Sequence, residues 1–285
     1  MYNLALLFIF SSFGLLGFGF YFFLKIKESK KLQHIRSLPF DQKYREYLRR
    51  IELYRNLPKE DKERIERTIL EFIYTKEFLG VQLKVTEEMK VVIAFHACLL
   101  LFKSKLGGCY QQLKTVIIYP TTVAIENMHN NSGIYTKEKL LIDGQSTGDT
   151  VVIIWNNAKR EAYHHSYNNV IIHEFAHEID FMNGAADGIP PLESSKYYEW
   201  VSIIYKDFQK MSQAFIGKKD IGKYKFLGEY AVTNKAEFFA VITERFFESP
   251  NILKKKFPEL YNELKDFYGI DPISNILINN RSNLN

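Results

Sequence analysis

Two histidines four residues apart, His173 and His177, flank Glu174 in an apolar stretch that reads VIIHEFAHEIDFMNG from Val170 to Gly184. On an α-helix, residues four apart share a face, so both imidazoles can be aimed at one divalent cation while Glu174 sits beside an open coordination position. That is HExxH geometry. It suits zinc, which accepts imidazole and carboxylate ligands and converts a water in its fourth position into a nucleophile. Val170, Ile171, Ile172, Phe175, Ala176 and Ile179 surround the pair with apolar packing. Two imidazoles buried there without a partner would be left unsatisfied, and a metal ion satisfies both.

Zinc that keeps an open position needs a third protein ligand. No histidine follows at short range, since position 183 is Asn. The candidate carboxylates stand far downstream in TNKAEFFAVITERFFESP, where Glu237 comes first and Glu244 follows two turns later. Glu237 has a competing local use, because Asn234 three residues before it would form a capping box. A closed structural zinc site would require a fourth protein ligand, and none is evident. Asp180 lies on the same helical stripe as His177 and is expected to support an imidazole or a neighbouring loop, with a plain helix-terminal role as the alternative. His96 is isolated in an apolar run and reads as a core residue. The adjacent His164 and His165 point in different directions and read as solvent-exposed. Cys98 and Cys109 have neither CxxC nor Cys/His spacing and read as buried thiols.

The elements that must hold these residues can be placed from periodicity. Residues 40–56 and 59–78 space their apolar side chains for two surface helices broken at Leu57-Pro58. Thr86 and an acidic first turn open a helix over 86–102 that becomes almost wholly apolar, as a central core helix should. LKTVIIY (113–119) and TVVIIW (150–155) read as strands, with a polar loop or a pair of short strands over 121–148. The motif helix starts near Asn169. A loop over 183–192, a helix over 194–214, an irregular linker over 215–231 and a second strong helix over 234–248 follow, the last stopped by Pro250. The tail from 274 is polar and Asn-rich. The expected fold class is therefore α+β, predominantly helical, with a small sheet.

The chain has 285 residues, 46% hydrophobic and 15% aromatic, ample for a large core. A net charge of +5 is spread through interleaved acids and bases, so no direct nucleic-acid partner is expected. Residues 4–24 (LALLFIFSSFGLLGFGFYFFL) carry no charge, and at about 1.5 Å per residue they span a hydrocarbon core of about 30 Å. They read as a single-pass transmembrane anchor rather than a cleaved signal. Lys25, Lys27, Lys30 and Lys31 follow it, which places the remainder in the cytoplasm by the positive-inside rule. The expected organisation is an anchor and basic flank (1–31), a peptidase domain (32–273) and a tail (274–285).

Four blocks in order, VTEEMKVVIAFHACLLL, VIIYP, HEFAHEIDFMNG and EYAVTNKAEFFAVITERFFESP with FPELYNELKDFYGIDP after it, resemble the Mlc titration factor A family of zinc-dependent peptidases. The resemblance covers about residues 50–273. It implies a gluzincin-like domain with one zinc ion held by His173, His177 and Glu237, Glu174 acting on the water, and Tyr230 as an active-site tyrosine that donates to the developing oxyanion. It also implies peptide or protein substrates, with aminopeptidase-like action. An alternative of a different class is a membrane-tethered protein that sequesters a transcriptional repressor and hydrolyses little. Strand 150–155 is expected to pair with extended substrate, as edge strands do in many zinc peptidases; burial of its Val and Ile in the core is the competing expectation.

Overall fold

The computed structural model describes residues 2–106, 109–121, 149–164, 166–217 and 221–274, with side chains of the first helix described at 14 and from 16 onward. The chain divides into two compact units, Met1–Pro39 and Phe40–Asn285. The first is one helix, α1 (Tyr2–Ser37). The expected membrane span falls within it, and Leu16, Phe18, Phe20, Tyr21, Phe22 and Phe23 stand exposed on it. Among the described residues no helix is long and apolar enough to cross a membrane.

In the second unit, α2 (Gln42–Leu48), α3 (Glu52–Arg55) and α4 (Lys59–Thr75) lead into β1 (Glu77–Gly80) and α5 (Glu87–Leu101). Strands β2 (Thr115–Tyr119) and β3 (Thr150–Ile154) then precede α6 (Trp155–Tyr163) and α7 (Val170–Asp180). Next come α8 (Ser194–Trp200), a π turn (Val201–Tyr205) and α9 (Lys206–Ile216), then 3-10 turns and α10 (Lys235–Glu248), α11 (Pro250–Lys256) and α12 (Pro258–Tyr268). The three strands form a parallel sheet in the order β1-β2-β3, in register Glu77↔Thr115 and Thr115↔Thr150.

Three expectations need correction. The helix expected over 59–78 stops at Thr75, and Glu77–Gly80 is a strand because its main chain pairs with β2. The helix expected over 40–56 breaks where Ile51 turns extended (φ −89°, ψ 123°) and buries its side chain. Trp155, read as the end of a strand, instead opens the helix α6 (Trp155–Tyr163). The expected loop or strands over 121–148 fall, but for Thr121, outside the described residues, as does the tail beyond 274.

The core forms around α5. Thr86 caps it by accepting from the Met89 amide, and every residue from Val91 to Leu101 is buried. Phe175 ties the motif helix to this core, its ring 5.7 Å from that of Phe72 on α4 and 5.0 Å from that of Tyr110. Helix α7 packs against α5, β3 and α10, so the element carrying the histidines is wedged on three sides. That rigidity is what positions a metal centre. Cys98 and Cys109 are both buried and free, as expected.

His96 is fully buried in α5, with Nδ1 donating to the Val92 carbonyl at 2.8 Å and Nε2 without a partner. Burial lowers its imidazole to about 4, against the opposing pull of the Val92 hydrogen bond. An unfolded histidine titrates near about 6.5, so between about 6.5 and 4 the unfolded chain takes a proton that the folded chain refuses. The stability that a neutral His96 permits is complete above that window and falls with pH through it, by roughly 3 kcal/mol in all. His96→Met should flatten this part of the profile in urea unfolding from pH 7 to pH 4. Equal slopes in the variant and the parent would refute it.

Candidate metal centre

Asn169 starts α7 by accepting from the Ile172 amide, and Glu161 accepts from the Val170 amide at 2.8 Å. From that start, helical geometry buries Ile171, Ile172, Phe175, Ala176 and Ile179 and turns His173 and His177 toward α10. Asn234 caps α10 by accepting from the backbone amide of Glu237 at 2.9 Å. Only the amide of Glu237 serves the cap. Its carboxylate is free to point at α7, which resolves the competition between cap and ligand that spacing leaves open.

His173 Nε2 and His177 Nε2 lie 3.2 Å apart, and Glu237 Oε2 lies 3.0 Å from the first and 3.4 Å from the second. A tetrahedral ion with ligands at about 2.0–2.1 Å spaces its donor atoms about 3.3–3.4 Å apart. The triangle therefore fits one small divalent cation, and these three residues form a group able to hold a metal ion. Glu237 Oε2 is buried and has no hydrogen-bond donor aligned with it, an orphan that a cation would satisfy.

The electrostatics point the same way. Burial alone would lower the His173 imidazole, yet the close approach of the Glu237 carboxylate, the hydrogen bond to Glu244 and the charges of Glu244 and Glu174 raise it to about 10. Burial opposes ionisation of Glu237, but the two histidines outweigh it and hold the carboxyl well below the usual range. The site thus favours positive charge at the point where its donors converge.

Glu244 is the residue sequence reasoning assigned only as a fallback ligand. Its Oε1 accepts from His173 Nδ1 at 2.7 Å and its Oε2 accepts from the Asn169 amide at 2.7 Å. When a cation takes the place of the Nε2 proton, this bond keeps hydrogen on Nδ1 and leaves the Nε2 lone pair for the centre. Its spacing from Glu237, two helical turns, was the legible signal that both face α7. Glu244→Gln should weaken metal affinity about 10- to 100-fold, measured by competition with a chromogenic chelator. An unchanged affinity would show that the contact orients nothing.

Tyr230 reaches the site through Glu237. Its hydroxyl donates to Glu237 Oε1 at 2.9 Å and its ring lies 5.7 Å from that of His173. Of the two roles weighed for Asp180, the structure shows the loop: Oδ2 accepts from the Gly188 amide at 2.8 Å, and no imidazole bond is made. Gly188 has φ +78°, and a Cβ there would meet the Lys235 carbonyl oxygen at 2.6 Å, so only glycine lets this loop pass α10. Trp200 Nε1 also donates to the Gly188 carbonyl, which fastens the 183–192 loop at both faces. Glu174 lies part-buried beside His173. His164 is exposed at the end of α6, away from the centre, and His165 lies outside the described residues.

Known proteins resemble the chain over most of its length. The chain is 29% identical over 237 residues to an uncharacterized protein of Synechocystis, covering 79% of this chain and 82% of that one. It is 28% identical over 232 residues to Mlc titration factor A of Edwardsiella ictaluri, covering 79% of this chain and 87% of the relative. To Mlc titration factor A of Serratia proteamaculans it is 27% identical over 173 residues, 59% of this chain and 64% of that one. Residues 26–269, which include every donor described above, match the glucose-regulated metallo-peptidase M90 family, and the chain belongs to it.

Proposed function

We propose that the protein is a zinc-dependent peptidase of gluzincin type that hydrolyses peptide bonds with an activated water, acting on peptides from their amino ends. The observation that carries this is the convergence of His173 Nε2, His177 Nε2 and Glu237 Oε2, backed by the Glu244 carboxylate on His173. When bound, a zinc ion supplies a Lewis acid for the scissile carbonyl and brings the pKa of a coordinated water to about 7. The Glu174 carboxylate takes the proton of the attacking water and delivers it to the leaving amine. Tyr230, 46% exposed, can release Glu237 Oε1 and donate to the developing oxyanion.

Among the described residues β3 is an edge of the sheet and borders α7, so its outer main chain is available to an extended substrate. The action on amino ends follows the resemblance to the family. Residues 4–24 act as a single-pass anchor that keeps the catalytic unit in the cytoplasm; the support is the charge-free run and the lysines after it.

The test is hydrolysis of a mixed peptide library by the zinc-loaded full chain. Cleavage should stop on removal of the metal with a chelator and return with added zinc, and the products should show loss of amino-terminal residues. Absence of chelator-sensitive cleavage would favour a second reading, sequestration of a transcriptional repressor at the membrane, which the resemblance to the titration-factor family implies.

A further inference from the structure

Helix α10 carries three buried carboxylates on one stripe. Glu244 and Glu248 follow Glu237 by about two and about three helical turns, so all three face α7, and each takes a different nitrogen there. Glu237 Oε2 approaches the two histidine Nε2 atoms, and Glu244 holds His173 Nδ1. Glu248 reaches past both to Asn169, whose Nδ2 donates to its Oε1 at 2.7 Å. Burial pushes the Glu248 carboxyl up to about 8; the Asn169 bond opposes this, and repulsion from Glu244, Glu52 and Glu161 adds to it. At neutral pH it is mostly the uncharged acid, and its carbonyl oxygen accepts from Asn169 as an amide oxygen would.

Asn169 is fully buried and joins these contacts. Its side chain is held at both polar atoms, Oδ1 accepting from the Ile172 amide at 3.2 Å and Nδ2 donating to Glu248. That holds its backbone extended (φ −146°, ψ 97°) and aims its own N–H at Glu244 Oε2, 2.7 Å away. The other oxygen of the same carboxylate accepts from His173. A helix cap needs only an acceptor, which Ser, Thr or Asp would supply equally. The Nδ2 donor is what asparagine adds, and it goes to Glu248. Arg245 secures the approach from the same helix, donating to the Tyr167 carbonyl and to Asn168 Oδ1. A glutamate has several side-chain torsions, and a fixed donor on Oε2 selects the carboxylate setting that meets His173.

We propose that Glu248 is a positioning residue of the metal centre, acting through Asn169 on the Glu244 carboxylate that orients His173. The connection is continuous from Glu248 Oε1 to His173 Nδ1. It rests on the metallopeptidase reading, since it concerns how that centre is held.

The test is zinc affinity of the full chain, by competition with a chromogenic chelator, with the melting temperature of the metal-free chain measured beside it. Glu248→Ala should weaken zinc binding about three- to tenfold, less than the about 10- to 100-fold expected for Glu244 itself. Glu248→Gln keeps the acceptor and should restore parental affinity. Asn169→Ser keeps the cap, removes the Nδ2 donor and should match Glu248→Ala, which covers a Glu248→Ala chain that fails to fold. In a Glu244→Gln background a single acceptor oxygen cannot serve both Asn169 and His173. There Glu248→Ala should add nothing, whereas a merely structural role would cost the same in both backgrounds.

Nuclear magnetic resonance of the metal-free chain gives a readout without zinc. The His173 Nδ1 proton should exchange with water several-fold faster in Glu248→Ala than in the parent, and no faster in Glu248→Gln. A parent chain that binds no zinc would overturn the metallopeptidase reading, and the exchange rates would still decide the inference. Parental zinc affinity and exchange in Glu248→Ala and Asn169→Ser, a Gln variant as weak as the Ala variant, or equal losses in the two Glu244 backgrounds would overturn it.

Discussion

Glu174→Gln is expected to keep its zinc and to lose peptide hydrolysis by about 10²- to 10⁴-fold, the contribution of a positioned general base. The converging donors are His173, His177 and Glu237, so the amide at 174 removes no ligand. The glutamine is isosteric and stays on the part-buried side of α7. What it loses is the capacity to accept the proton of water and to return it to the leaving amine. Zinc per chain by mass spectrometry and cleavage of a library peptide, measured on the same samples, separate the two effects. Equal residual cleavage in the parent and the variant would remove Glu174 from the chemistry and favour the repressor-binding reading. Loss of zinc together with cleavage would instead make Glu174 a structural partner of the centre.

How much of this was legible in the sequence follows from the range of the interactions involved. The relation of His173 to His177 is local, one helical turn on an apolar helix, and the structure brings their Nε2 atoms to 3.2 Å as the spacing implies. The caps were equally local, with Thr86, Asn169 and Asn234 each accepting from an amide of the first turn. Glu237 was legible only as one of two carboxylates on a distant helix, because choosing between it and Glu244 needs the packing of α10 on α7. The structure gives each a separate task, Glu237 at the centre and Glu244 on the far nitrogen of His173.

The misread elements share a cause. Glu77–Gly80 continues the apolar spacing of α4 and becomes a strand only through pairing with β2, a contact between residues far apart in sequence. Helix α6 opens directly after β3, with no side-chain cap at Ile154 and two asparagines in its first turn, so no local start signal marks it.

Glu237→Ala should cost the protein its metal. An outer partner such as Glu244 changes affinity about 10- to 100-fold, and removal of a direct ligand should exceed that, leaving less than stoichiometric zinc after dialysis. The substitution leaves the Asn234 cap intact, because Asn234 accepts from the backbone amide at 237, which alanine keeps. It also frees the Tyr230 hydroxyl from its carboxylate partner, so Tyr230 alone cannot rescue the site. Asn234→Ala is the matching control: it removes the cap, destabilises α10 by about 1 kcal/mol and leaves the carboxylate in place. Zinc should therefore stay with Asn234→Ala and leave Glu237→Ala, with the melting temperature measured on metal-free samples of both. Full zinc occupancy in Glu237→Ala would move the third ligand elsewhere, and Glu244, facing the same helix from two turns away, is the next carboxylate to substitute.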